Sequence, residues 1–190
     1  MLHRPLPFIP SRSSIRVTIL ALGLGFLWGA CLRQANELEP PVGPFHGSRI
    51  GDLCPDLPLG LPGTVVSVSS FSGQVLLLHF WASWCPNCVT ELAELAEVAR
   101  RMEGEGIGLA VVALNMDLEN VQDLRRFTAL RAPLLSGFDP GGEQANALEI
   151  IRLPHTLVLD RHGVIVDRIL GGTAWTAPPT LEYLRTMVTP

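Results

Sequence analysis

The segment QVLLLHFWASWCPNCVTELAELAEVARRM (74–102) decides the fold. Its first part, VLLLHFWA (75–82), is an unbroken apolar run of strand length, the pattern of a strand buried on both faces. Its last part sets Leu92, Leu95, Val98, Ala99 and Met102 at helical spacing, which predicts a helix from about Pro86 to Glu103. Cys85 and Cys88 stand between the two. A thiol at a helix start meets unpaired backbone N–H groups and the positive end of the helix dipole, and both favour the thiolate. The thiolate is the form that attacks a disulfide. The pair therefore points to dithiol–disulfide exchange, with Cys85 attacking and Cys88 resolving.

Other uses of a Cys-x-x-Cys pair fit less well. A structural zinc needs about four ligands, and the chain has no second Cys-x-x-Cys and no His pair at metal spacing. A c-type haem needs His directly after the second cysteine, where Val89 stands. A purely structural disulfide would close too short a loop to constrain the unfolded chain much. The reading calls for no cofactor and no resident metal.

Working outward, 190 residues suit one domain with an N-terminal extension. All 14 basic residues are Arg, a compositional bias without chemical meaning of its own. Beyond residue 31 there are 11 Arg against 18 acids, a net charge of −7. So acidic a domain is a poor candidate for holding nucleic acid by its phosphates. Residues 1–31 have the pattern of an export segment. Arg4, Arg12 and Arg16 precede VTILALGLGFLWGA (17–30), an apolar run of 14 residues, short of the ~20 a spanning helix needs. Gly29 and Ala30 then lead to Cys31, which makes Cys31 a lipidation candidate, although Trp28 departs from the usual Leu of a lipobox. An uncleaved anchor and an ordinary cleaved signal stay open beside the lipoprotein. All three place the domain outside the cytoplasmic membrane, where disulfides persist. Residues 32–48, rich in Pro and Gly, are expected to be a flexible linker, with the domain at 49–188.

Within that domain GDLCPDLPLGLPGTVVSVSSFSGQ (51–74) suggests a loop with one or two short strands. GLAVVALNM (108–116) is a second buried strand, LENVQDLRRFTAL (118–130) an amphipathic helix, LLSGFD (134–139) a short strand and EQANALEI (143–150) a short helix. HTLVLD and VIVDRILG, flanking Arg161-His162-Gly163, predict a hairpin, and PPTLEYLRTMV (178–188) a last helix with Pro at its start. That order predicts an α/β fold, a central mixed sheet flanked by helices, in the thioredoxin sequence of elements.

Over about residues 49–188 the chain resembles the thioredoxin-like TlpA/ResA family of thiol–disulfide oxidoreductases. The likeness rests on GDLCPDLPL, on FSGQVLLLHFWASWCPNC with the glutamate three residues after the second cysteine, and on LPHTLVLDRHGVIVDRILGG. It implies an extracytoplasmic, membrane-tethered reductase, periplasmic and lipid- or helix-anchored. Its partners would be protein disulfide and dithiol substrates, among them clients of cytochrome c maturation or copper-site assembly, and a membrane electron donor would recharge it.

The resemblance also implies roles for single residues. Pro154 would be cis and would present the backbone of Leu153 to a substrate strand beside the dithiol. Glu91, one turn after Cys88, would be linked to thiol ionisation, against the alternative of a solvated helix acid in the series Glu91, Glu94, Glu97. His79, six residues before Cys85, stands where relatives carry Asp or Asn beneath the pair. A proton relay to Cys88 and a hydrogen-bonded core histidine are both open for it. Three further departures are Ala93, where many relatives have a helix-kinking proline, His155, expected to be a loop residue, and Cys54, a small buried residue or a third thiol near the site. The rival reading is a Cu(I)-binding assembly factor that uses the same cysteines with His79 or His155. The Sco-type copper proteins it would resemble have three residues between their cysteines rather than two. Peroxiredoxin chemistry lacks its Thr-x-x-Cys motif here.

Overall fold

The computed structural model describes residues 48–64, 66–128 and 133–188. The expected export segment with Cys31 and the linker up to residue 47 lie outside the described residues. Among the described residues no helix is long and apolar enough to cross a membrane.

After a 3₁₀ turn at Val68–Phe71 come strand β1 (Val75–Trp81), helix α1 (Pro86–Gly104), β2 (Leu109–Asn115) and α2 (Val121–Thr128). Then follow β3 (Leu135–Phe138), α3 (Glu143–Ala147), β4 (His155–Leu159), β5 (Ile165–Leu170) and α4 (Pro178–Val188). The five strands form one sheet in the order β3-β2-β1-β4-β5. The pairs β1–β2 and β2–β3 are parallel, while β4 runs antiparallel to β1 and to β5. This is the thioredoxin-like mixed sheet that the element order predicts.

Every residue of β1 is buried, because each face of the sheet has its own core. On one face Val75, Leu77 and Trp81 pack with Leu92, Leu95 and Val98 of α1 and Leu181 and Leu184 of α4. On the other Leu76, Leu78 and Phe80 pack with Leu59, Val68, Phe71 and Leu148. Strand side chains alternate between faces, so an unbroken apolar run is what such a strand requires.

Several boundaries differ from the sequence reading, each for a local reason. Among its described residues the 51–74 segment forms no strand, only isolated bridges at Leu53–Val164 and Pro58–Ser67 beside the 3₁₀ turn. Helix α2 starts at Val121 rather than 118, since the Asn120 side chain caps it by accepting from the Asp123 N–H at 2.9 Å. Helix α3 ends at Ala147 because Glu149 adopts a left-handed φ of 54°. His155, expected in a loop, is the first residue of β4 and is buried. Its pairing with Phe80 and Leu170 draws it into the sheet. Helix α1 runs unbroken past Ala93, as expected without a proline there.

The 57–61 segment crosses β3 at close range. A Cβ placed on Gly137 would stand 2.0 Å from the Leu59 carbonyl oxygen and 2.9 Å from Leu114 Cδ2. The nearest of these atoms belongs to the backbone of the crossing segment, which cannot swing aside as a side chain can. Gly137→Ala is therefore expected to destabilise the domain by about 2–4 kcal/mol, read as a lower urea midpoint with an unchanged slope.

Candidate active site

Strand β1 ends at Trp81, and Ala82-Ser83-Trp84 carries the chain to the start of α1. Cys85 is the N-cap of that helix and Pro86 its first residue, where a missing N–H and a fixed φ suit a helix start. The Cys88 N–H points at Cys85 Sγ, 3.3 Å away. The two cysteines are disulfide-bonded with Cα atoms 5.3 Å apart. They are not equivalent, because Cys85 reaches the surface at 8% exposure while Cys88 has none.

The loop before Cys85 is held from β2. Asp117 accepts from the Ser83 N–H at 2.8 Å and from the Ser83 hydroxyl. Asn115, buried at the end of β2, donates from its amide to Asp117 at 2.9 Å and accepts from the Asp117 N–H at 3.0 Å. Neither residue was picked out from the sequence. A polar Asn at the end of an apolar strand, two residues before an Asp, is the signal that could have found them.

Helix α1 and strand β1 share a buried polar cluster. Glu91 follows Cys88 by three residues, so the two side chains share one face of α1. The structure buries Glu91, which removes the solvated-acid alternative. Its carboxylate accepts from the Thr173 N–H at 2.8 Å and from Trp175 Nε1 at 3.0 Å. Burial raises its pKa above the usual carboxylate range, while the Trp175 and Thr173 hydrogen bonds pull it down and Glu94 pushes it up. His79, fully buried on β1, lies with Nδ1 2.9 Å from Thr156 Oγ1 and 3.9 Å from Glu91. Burial, with His155 adding to it, lowers the His79 pKa to about 3, so the imidazole is neutral at physiological pH. Its Nε2 has no partner among the described residues. Trp175 and Thr173 were not foreseen; they lie more than 80 positions from Glu91, and no local pattern points to them.

Pro154 follows a cis peptide bond from Leu153. His155 pairs with Phe80, so Pro154 sits at the end of the sheet from which β1 leads to Cys85. The Gly171 N–H donates to the Pro154 carbonyl at 3.0 Å. Cys54 belongs to the core on the opposite face from the dithiol, and burial, then Asp56, pushes its thiol up to about 12. It is the small buried residue rather than a third redox thiol at the site. Among the described residues no group of three or more His, Cys, Asp or Glu side chains is placed to hold a metal ion.

A thioredoxin-like sheet that presents a disulfide-bonded Cys-x-x-Cys at the head of its first long helix defines the class of thiol–disulfide oxidoreductases. The chain belongs to the Redoxin family, whose model matches residues 49–184. It is similar to the thiol:disulfide interchange protein DsbE of Tatumella citrea, 32% identical over 90% of this chain and 87% of that protein. It is also similar to the DsbE protein of Vibrio cholerae, 33% identical over 60% of this chain and 59% of that one. Among solved structures, StoA of Bacillus subtilis superposes with a TM-score of 0.54 at 25% identity, covering 70% of this chain and 96% of StoA. The chain is thus a thiol–disulfide oxidoreductase of the DsbE/ResA type.

The raised pKa of Glu91 fixes a sign. A carboxyl whose folded pKa lies above its unfolded value adds stability that is complete below the unfolded pKa, near 4.5. That stability is lost as pH rises through the folded pKa. Trp175→Phe removes a donor that lowers the Glu91 pKa, so the folded pKa rises further. The variant is expected to lose more stability at pH 7 than at pH 4, measured by urea unfolding at both pH values.

Proposed function

We propose that the chain is a membrane-tethered, extracytoplasmic reductase of protein disulfides. The observation that carries the mechanism is the asymmetry of the pair, with Cys85 at a helix N-terminus and slightly open to solvent and Cys88 fully enclosed. The Cys85 thiolate attacks one sulfur of a substrate disulfide, forming a mixed disulfide and releasing the other substrate sulfur as a thiolate that takes a proton. Cys88, deprotonated, then attacks Cys85 Sγ. The second substrate thiol leaves, the Cys85–Cys88 disulfide forms, and two electrons have passed to the substrate. A membrane dithiol donor restores the reduced pair.

The second step needs a proton acceptor near a buried thiol. Glu91 suits this role, because its raised pKa brings a carboxylate closer to the thiol range than a solvated acid would be. The depressed pKa of His79 makes it a poor proton store. As a neutral imidazole bonded to Thr156, with its Nδ1 3.9 Å from the carboxylate, it stands where a small shift would let it pass a proton to or from Glu91. Pro154 and Leu153 form the ledge for the substrate backbone.

The Arg-bearing apolar start of the chain and Cys31 support a tether outside the cytoplasm. A reductase on that side of the membrane meets oxidised cysteines awaiting haem or copper, so apocytochrome c and copper-site proteins are the clients favoured here.

Two experiments test the mechanism. In an insulin-reduction assay Cys85→Ser is expected to be inactive. Cys88→Ser is expected to accumulate a mixed disulfide with insulin, visible by mass spectrometry; a trapped adduct on Cys88 in the Cys85→Ser protein instead would reverse the assignment. For the relay, His79→Ala should slow single-turnover resolution of the mixed disulfide by about tenfold or more, with the first attack little changed. Equal resolution rates in variant and wild type would remove His79 from the mechanism.

A further inference from the structure

The end of the sheet that carries Cys85 also carries unspent apolar surface. Among the described residues five large apolar side chains are exposed. Trp84 at 70%, Ile151 at 82% and Leu170 at 53% lie at this end, whereas Ile50 and Leu135 lie elsewhere. Trp84 precedes Cys85. Leu170 pairs with His155 at the start of β4. Ile151 stands three residues before Pro154.

The loop that bears Ile151 is not slack. Ile150 is buried, and its N–H donates to the Ala145 carbonyl at 2.8 Å. Arg168 Nη2 donates to the Leu148 carbonyl at 2.8 Å, and its Nη1 donates to the Ser48 carbonyl. Beyond the exposed pair, Pro154 is tied to Gly171. Ile151 and Arg152 are therefore held out to solvent between two anchored points. Arg152 forms no ion pair among the described residues, not even with Glu149 on the same loop. Arg100 and Arg101 engage Glu97, Arg126 engages Asp123, and Arg185 engages Glu105, while the exposed Arg49 and Arg125 share with Arg152 the lack of an ion pair among the described residues.

We propose that Ile151 and Arg152 select the client, which is an extended protein segment bearing an apolar residue and a carboxylate on one side of its disulfide. The inference rests on the reductase reading and specifies its substrate class. The positioned loop exposes an apolar residue and an arginine at consecutive positions, just before the Leu153–Pro154 backbone that the reductase reading assigns to the substrate strand. The guanidinium suits a carboxylate by charge and by its planar fork. The domain as a whole is acidic and by its net charge would favour basic clients. At 0.15 M salt, however, charges more than about 8 Å apart are largely screened. A contact at Arg152 then outweighs the distant surplus.

The test uses the full chain with dithiothreitol as the recharging reductant. Two disulfide-linked peptides share a Leu beside the cysteine and differ only in Glu or Lys two residues away. In 0.15 M salt, wild type is expected to reduce the Glu peptide with a kcat/KM about threefold higher, the scale of a rim ion pair. Arg152→Glu is expected to reverse that ratio, which compares peptides within one protein and so is insensitive to partial misfolding. Ile151→Ser is expected to raise KM for both peptides by about fivefold, the scale of a lost apolar contact. Equal rates on the two peptides with wild type, or a ratio untouched by Arg152→Glu, would overturn the client inference and leave the reductase standing. Failure of wild type to reduce either peptide would overturn the reductase reading as well. Concentration-dependent dimerisation abolished by Ile151→Ser would assign the patch to a second copy of the chain and overturn the proposal.

Discussion

The reactive end depends on one constraint, a strand buried on both faces that must leave the sheet and start a helix within a few residues. All of β1 lies between two cores, so the polar groups of the chain are first free to emerge after Trp81. Cys85 stands where the strand's hydrogen bonds have ended and the helix's have not begun. Its sulfur takes up one of the N–H groups that a helix start leaves unpaired, that of Cys88. A reactive sulfur thus serves as a structural cap, and the interaction that orders the helix start is the one that favours a thiolate. Asp117 and Asn115 complete the arrangement from the neighbouring strand by fixing Ser83. The ends of β1 and β2 are locked together, and the position of Cys85 is set by the sheet rather than by its own flexible loop.

What was legible in the sequence follows the range of the interactions concerned. Strand β1 and helix α1 stand out because both write their environment into a continuous pattern, one apolar throughout and the other apolar on a stripe. The β4–β5 hairpin is readable from its turn, and α4 from Pro178. The family likeness brought Pro154 into view, since a base rate for proline would have made its peptide bond trans. The 51–74 segment was misread because its alternation of apolar residues serves coverage of the second core by Leu59, Val68 and Phe71 without a ladder. His155 is read two ways in the sequence, as the first residue of the HTLVLD strand and as a loop residue, and pairing with Phe80 and Leu170 decides for the strand. The surroundings of Glu91 were invisible, as its partners come from β1 and the loop before α4, and no window of sequence contains them.

That enclosure explains why a buried acid is tolerable and also why it is useful. Taking a carboxylate out of water is costly unless hydrogen bonds replace those lost. Here Thr173 and Trp175 supply two donors, enough to keep Glu91 folded inward. They do not fully offset the burial, for desolvation is the largest influence on its pKa and the net shift is upward. Complete compensation would have left an inert anion with no appetite for a proton. No compensation would have left a neutral acid unable to accept one, or a helix that would not close over it. His79 sharpens the balance, because at its depressed pKa it brings a dipole rather than a positive charge to the carboxylate. An Arg or Lys in that place would draw the Glu91 pKa down by direct attraction. A neutral histidine in the place of the acid of the wider thioredoxin pattern therefore leaves the Glu91 pKa above the usual carboxylate range, with Glu94 as the neighbouring acid that pushes it the same way.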